Sequence, residues 1–334
     1  MNKKKGLQTV VFSSPPVITS TANVVGPMEG EGALTEFYDR ILKDNLDGNM
    51  SWEKCESSMM EWALRTAIAK ENSQLADIDY VLAGDLLNQL MSTHFAIRNI
   101  GRPFLGMYGA CSTLVQSMMM GSVLLDGGFA GKVAVAVSSH HDTAERQYRF
   151  PTELGVQRPM VSQWTVTGSG AVVISESGQG PRITAATTGK IVDMGIKDPN
   201  AMGPAMAPAA ADTLWHHLED TGRQPTYYDM IFTGDLGSVG KALVIQLFKE
   251  KGVDLASVYE DCGCMIFRQE QDAHAGASGC ASSAVVFTGY IYRMMMRQKL
   301  RKVLLIGTGS LHSTTSYQQK ESIPCIAHAV AIEN

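Results

Sequence analysis

Cys111 is the residue of this chain best placed for covalent chemistry. It follows Gly109-Ala110, where a short strand over Pro103-Phe-Leu-Gly-Met-Tyr108 ends, and it opens an apolar segment that runs to Leu125. Backbone N–H groups and the positive end of a helix dipole would stabilise a thiolate there, making a nucleophile for acyl transfer. A small buried cysteine at a tight turn fits the same position equally well. The tightest cysteine pair, Cys262-Gly-Cys264, has neither a second pair nor a His-x-x-x-His beside it, so two small buried residues describe it better than a zinc site. The six cysteines, Cys55, Cys111, Cys262, Cys264, Cys280 and Cys325, lack a disulfide rhythm, which fits a reducing interior.

The elements that must carry Cys111 occur twice. Asp79-Tyr-Val-Leu-Ala-Gly-Asp-Leu86 returns as Asp229-Met-Ile-Phe-Thr-Gly-Asp-Leu236. Ala110-Cys111-Ser112-Thr113 opens an apolar segment leading to the strand Lys132-Val-Ala-Val-Ala-Val-Ser-Ser139, and Gly279-Cys280-Ala281-Ser282 opens another leading to Lys302-Val-Leu-Leu-Ile-Gly-Thr-Gly-Ser310. Three matched elements in one order imply a duplicated half-domain, with halves over 1–178 and 179–334. Leu114, Val115, Met118, Met119, Met120, Val123, Leu124 and Leu125 cover more than one face of a helix, so that helix must be buried all round. Cys280 to Met296 reads similarly at its start. Two such helices need a sheet on each outer side, and strands of unbroken Val, Ile and Leu suit sheets covered on both faces. The predicted fold class is α/β, layered αβαβα with pseudo-twofold symmetry.

Around this frame, Thr9 to Phe12 reads as an edge or first strand of the first half, and Ser51 caps a helix to Lys70. His94 to Ile100 ends a helix at Gly101. The strands Thr165–Ser175 and Ile323–Glu333 close the two halves. Ser177 to Pro225 breaks the symmetry with a Pro-, Gly- and Met-rich run, Lys197 to Pro208, before a helix predicted from Ala209 to Thr221. Long ordered loops are frequently functional, though a bridge between halves would look the same.

The 334 residues can bury a large core, and 19 methionines suit helices packed on all sides. A net charge of −5 gives no basic footprint, so no nucleic acid is expected as a partner. The Lys3-Lys4-Lys5 start is followed only by a brief apolar run broken at Pro15-Pro16, so a signal peptide is not expected. No uninterrupted apolar stretch of about 18–20 residues predicts a transmembrane helix.

The duplicated half, the cysteine at the start of the first central helix and the glycine-rich closing strand Gly307-Thr-Gly-Ser310 resemble the thiolase superfamily, in its ketoacyl synthase III-like branch. That resemblance implies a Cys-His-Asn triad. The stretch that would carry the His, Asp229 to Leu236, has Thr233 or a neighbour instead, and the stretch that would carry the Asn, Gly276 to Ser283, has none. His274 and His312 lie outside the motif position. Without a base and oxyanion donors, Claisen condensation loses its transition-state stabilisation. The runs Gly109 to Thr113, Ser138 to Glu153, Lys197 to Gly203, Ala205 to Thr213 and Glu321 to Glu333 resemble, more narrowly, the stage V sporulation protein AD family of spore formers, whose members bind dipicolinic acid and take part in its movement into the developing spore.

The resemblance therefore implies a non-catalytic dipicolinic acid-binding protein, with no catalytic residues and no cofactor beyond a calcium ion that the ligand could bring. It also implies other stage V sporulation membrane proteins as partners, peripheral association with the inner spore membrane, and a homodimer. Dipicolinate is a flat dianion, so its pocket should offer cations or N–H donors around a planar slot. The candidates are Cys111, His140 and His141 at a strand end, Arg146 and Arg149 beyond it, Lys197, Asp198 and Asn200 in the asymmetric loop, and Thr233, Asp235 and Ser278 in the second half. Asp142, Asp198 or Asp235 would meet the metal of a calcium chelate. Two readings of other classes stand beside this one: an acyl-CoA-dependent condensing enzyme or acyltransferase with Cys111 as nucleophile, and an assembly subunit that acts through partner contacts.

Overall fold

A computed structural model describes residues 3–148 and 159–334. In the first half the strands are β1 (Thr9–Val11), β2 (Val17–Val25), β3 (Tyr80–Gly84), β4 (Phe104–Gly106), β5 (Lys132–Ser139) and β6 (Gly168–Ser175). In the second they are β7 (Arg182–Thr187), β8 (Met230–Thr233), β9 (Tyr259–Asp261), β10 (Lys302–Ser310) and β11 (Cys325–Glu333). The principal helices are α1 (Trp52–Lys70), α2 (Met91–Ile100), α3 (Thr113–Asp126), α4 (His141–Tyr148), α5 (Met202–Thr221) and α6 (Gly237–Glu250). The last, α7, runs from Cys280 to Met296 with a π-helical stretch at Phe287–Ile291.

The strand order β9-β8-β10-β11-β7-β2-β6-β5-β3-β4 is a palindrome of roles. In each half three parallel strands are followed by an antiparallel pair. The path is continuous, and along it the two five-strand runs join where β7 pairs with β2 at Arg182 opposite Val17. Asp79 and Asp229 hold equivalent corners. Asp79 Oδ2 accepts from the N–H groups of Gly131 and Lys132 at 2.7 and 3.0 Å, fixing the start of β5. Asp229 Oδ2 accepts from Arg301 and Lys302 at 2.6 and 2.9 Å, fixing the start of β10.

Strand alternation divides the interior into three cores. Val133, Val135 and Val137 of β5 face the central layer with α3 and α7, whereas Ala134 and Ala136 face α1. Val303 and Leu305 of β10 face the centre, and Leu304 and Ile306 face α5. Both faces of each strand are dry, which is why the sequence shows no polar alternation. The layers are αβαβα, with Leu114, Val115, Met118, Ala281, Ala284 and Val285 in the middle.

Three local expectations are corrected. The strand at Thr9–Val11 lies on β7 of the second half, Ala185 to Thr187 opposite Val11 to Thr9, so it belongs to the other sheet. The helix expected from Ala209 begins at Met202. Pro204 falls in its first turn, where backbone N–H groups have no intrahelical acceptor, whereas Pro208 lies inside the helix and removes one backbone donor from it. The second central helix is interrupted by its π stretch, where Thr288 Oγ1 bonds back to Ala284 O at 2.7 Å. Ser51 does cap α1, accepting from Lys54 N, and Gly101 ends α2 with a left-handed φ of 68°.

Candidate functional site

The turn Gly109 to Thr113 presents Cys111 at the mouth of α3. Ser112 Oγ donates to Gly109 O and Thr113 Oγ1 to Ala110 O, each at 2.6 Å, and Gly109 N donates to Thr113 Oγ1. Ala110 sits at φ 49°, a left-handed conformation costly for a residue with a Cβ. The strand β10 presses against this turn. A Cβ on Gly309 would stand 2.3 Å from Gly109 O, and one on Gly307 2.9 Å from Val115 Cβ. Glycine at both positions lets the strand pass and brings Ser310 beside the cysteine.

Cys111 and Cys280 mirror one another across the central layer. The Cys280 thiol donates to Ala110 O at 3.1 Å. The carboxylate of Asp235 lies beside the Cys111 thiol. That carboxylate is fully buried and accepts from Thr308 Oγ1 at 2.6 Å and Gly279 N at 3.0 Å. Burial pushes Asp235 up to about 6, with its hydrogen bonds pulling the other way. Burial first, and then Asp235, drives the Cys111 thiol well above its ordinary value. The sulfur keeps its proton, so the helix dipole at α3 does not yield a thiolate.

A partly open pocket lies over Cys111, about 460 Å³ with the open space at its mouth included. Leu86, Ala144 and Met202 give it apolar walls, and Tyr108 and Tyr148 aromatic ones. Its polar side chains are Cys111, Thr165, Ser278, Ser310 and His312, together with the two phenols. No lysine, arginine, aspartate or glutamate is among the described lining residues. Burial raises the Tyr148 phenol, and neighbouring Tyr108 adds to it.

Of the residues singled out from the sequence, Cys111 and Ser278 line the pocket, and Asp235 lies directly behind the cysteine. Most of the others are elsewhere. His140 is fully buried at the end of β5, its Nε2 2.8 Å from Asn45 O and its Nδ1 accepting from Asp142 N. His141 stacks flat on Trp164 with ring centroids 3.8 Å apart. Arg146 pairs with Glu53 and lies over the Trp52 ring on the outer side of α4. Lys197 Nζ donates to Lys320 O at 2.7 Å. Asp198 accepts from Asn200 N and Nδ2 in a local turn. Thr233 is turned into the second half, bonded to Tyr259 and Asp261.

Arg149 and the rest of the run to Glu153 lie outside the described residues. Asp142, Asp198 and Asp235, the alternatives named for the metal of a calcium chelate, lie apart: Asp142 accepts from Asn45 Nδ2, Asp198 from Asn200, and Asp235 from Thr308 Oγ1. Among the described residues no three His, Cys, Asp or Glu side chains converge in a way that could hold a metal. The pocket residues that sequence reasoning passed over are Leu86, Tyr108, Ala144, Tyr148, Thr165 and Ser310; Met202 comes from the asymmetric loop and His312 from outside the motif position. Ser310 alone carried a signal, as the last residue of the glycine-rich strand.

The family profile of Stage V sporulation protein AD (SpoVAD) matches residues 6–333. Stage V sporulation protein AD of Bacillus subtilis (strain 168) is 46% identical over 331 residues, which is 99% of this chain and 98% of that protein. The chain belongs to the stage V sporulation protein AD family. Its fold is shared with 3-oxoacyl-[acyl-carrier-protein] synthase III of Aquifex aeolicus VF5, at TM-score 0.59 and 12% identity over 96% of this chain and 100% of that one. OleA of Xanthomonas campestris is similar at TM-score 0.60 and 13% identity, covering 98% of each chain. These likenesses establish a thiolase-like, condensing-enzyme fold for this sporulation family. No helix among the described residues is long and apolar enough to cross a membrane.

Proposed function

We propose that this chain is a non-catalytic binding protein on a condensing-enzyme fold, that it binds dipicolinic acid in the pocket over Cys111, and that it supports uptake of that ligand into the developing spore. The observation that carries this reading is the pairing of Cys111 with Asp235. Burial and the neighbouring carboxylate both favour the neutral thiol, and the pocket above it is open. Family membership supports the same reading. The flat aromatic ring of dipicolinate suits walls of Tyr108, Tyr148, Leu86 and Met202.

Two buried carboxylates need compensation. Here it comes from hydroxyls, from His312 and from the N-terminus of α3. A ligand arriving as its calcium chelate would bring its own cation, which lessens what the protein must supply. The partners that go with this function are other stage V sporulation membrane proteins and a second copy of the chain, in peripheral association with the inner spore membrane. Calorimetric titration with dipicolinate, with and without calcium, tests the reading. Saturable one-site heat is expected, and its absence under both conditions would sink it.

A second reading has one observation in its favour: His312 and Cys111 share the pocket. A histidine there could serve as the base of an acyl-CoA-dependent condensing enzyme. Stoichiometric acylation by acetyl-CoA followed by turnover, read by intact mass, would establish it in place of the first.

A further inference from the structure

Ser278 and Ser310 are buried serines that both line the pocket. Ser278 is 1% exposed and Ser310 5%, and neither Oγ has a hydrogen-bond partner among the described residues. Buried serines around them are satisfied: Ser112 Oγ by Gly109 O, Ser139 Oγ by Val166 O, Ser282 Oγ by Gly234 O. Ser117 and Ser283 are also unpartnered, but they do not line the pocket. A buried hydroxyl without a partner destabilises the empty protein, so two of them lining one cavity call for an acceptor in that cavity.

Both hydroxyls are carried on fixed backbone. Ser278 pairs with Thr165 across a short parallel ladder, and its carbonyl accepts from Val166 N at 2.9 Å. Ser310 ends β10 opposite Cys325, and the next residue, Leu311, donates to Pro324 O at 2.9 Å. Donors held on paired strands are presented to a ligand at little ordering cost. The described lining has no lysine or arginine to compete for an anionic oxygen.

We infer that Ser278 and Ser310 are the carboxylate donors of the pocket, hydrogen-bonding the oxygens of a planar aromatic carboxylate whose ring lies against Tyr108 and Tyr148. This rests on the binding function proposed above and names the residues that read the ligand. The acceptor could instead be a thioester carbonyl, and titration with acetyl-CoA separates the two.

The test uses the full chain and its Ser278→Ala, Ser310→Ala and doubly substituted variants. Each single change should weaken dipicolinate binding roughly ten-fold or more, as expected for losing a hydrogen bond to a charged acceptor. The ligand-free variants should melt at the wild-type temperature or above it, because an unpartnered buried hydroxyl has been removed. A purely structural role would give the opposite pattern, with lowered melting and unchanged affinity. Affinities within two-fold of wild type, ligand-free melting clearly below it, or weakened acetyl-CoA binding with dipicolinate binding intact would each overturn the assignment. If wild type itself fails to bind dipicolinate, the function falls and the assignment with it; wild-type binding that survives both substitutions removes the assignment alone.

Discussion

Cys111 and Asp235 lie side by side in the buried centre of the molecule, and Asp235 is held from behind by Thr308 Oγ1 and the N–H of Gly279. Asp235 is pushed up to about 6 by burial, while the Cys111 thiol is raised well above its ordinary 9.0 by burial first and then by that carboxylate. Burial beside a carboxylate favours the neutral thiol over the thiolate.

Cys111 should accordingly be inert. At pH 7.5 the folded protein incubated with iodoacetamide or acetyl-CoA should keep an unmodified Cys111, as read by intact mass and peptide mapping. Asp235→Asn removes the nearby negative charge and should raise the alkylation rate. Rapid alkylation of the wild type, at the rate of an exposed thiol, would contradict the buried, protonated state.

The equivalence of Asp79 and Asp229 gives a stability prediction. Each carboxylate accepts two backbone N–H groups at the start of the strand that follows a central helix. Asp79→Ala and Asp229→Ala should each lower unfolding free energy by about 1–3 kcal/mol, the range for hydrogen bonds to a charged group. The two losses should be similar and additive, because the sites share no partner. Urea denaturation of the two single variants and the double checks both points, and a large loss in one with none in the other would show that the halves do not use these corners alike.

The repeat made the fold readable because it recorded backbone events: a strand end, a helix start, a buried strand. The site depended on side-chain direction, which sequence records poorly. Thr233 and Asp235 are two residues apart at the end of β8, and only the turn after Thr233 decides that the aspartate reaches Cys111 while the threonine bonds Tyr259 and Asp261. His140 and His141 stand side by side, yet one is sealed against Asn45 and the other stacked on Trp164. Charge also misled. Arg146 and Lys197 looked suited to a dianion, but each already has its own partner in Glu53 or Lys320 O. Tyr108, Tyr148 and Met202 are brought to Cys111 from three separate elements that no local pattern connects.

Arg146→Ala and Lys197→Ala should therefore leave dipicolinate affinity within about two-fold of wild type in calorimetric titration, in contrast to changes at the pocket wall. Both side chains are at the surface or half-buried, and ion pairs of this kind contribute roughly 0–1 kcal/mol to stability. A loss of affinity beyond ten-fold in either variant would bring that cation into the site and displace the neutral pocket described above.

The buried carboxyls give the protein a characteristic response to pH. Burial raises Glu29 from 4.5 to about 7 and Asp261 from 3.8 to about 7, alongside Asp235 at about 6, and it also raises Glu56 and Asp85. The folded chain binds these protons more tightly than the unfolded chain does. Their contribution to stability is therefore full below the unfolded values near 4 and falls as pH rises toward about 8, the value of Glu56. Asp126 and Asp220 are lowered, chiefly by hydrogen bonds and a lysine overcoming burial, and so act in the opposite sense only near and below 3.8. Urea midpoints should consequently decline from pH 5 to pH 8. Glu29→Gln should flatten that decline and raise stability at pH 8 by on the order of 1–3 kcal/mol, because one Glu29 oxygen is buried without a partner among the described residues. A midpoint that rises across the same interval, or a Gln variant with an unchanged slope, would mean that these carboxyls are not buried in solution as they are here.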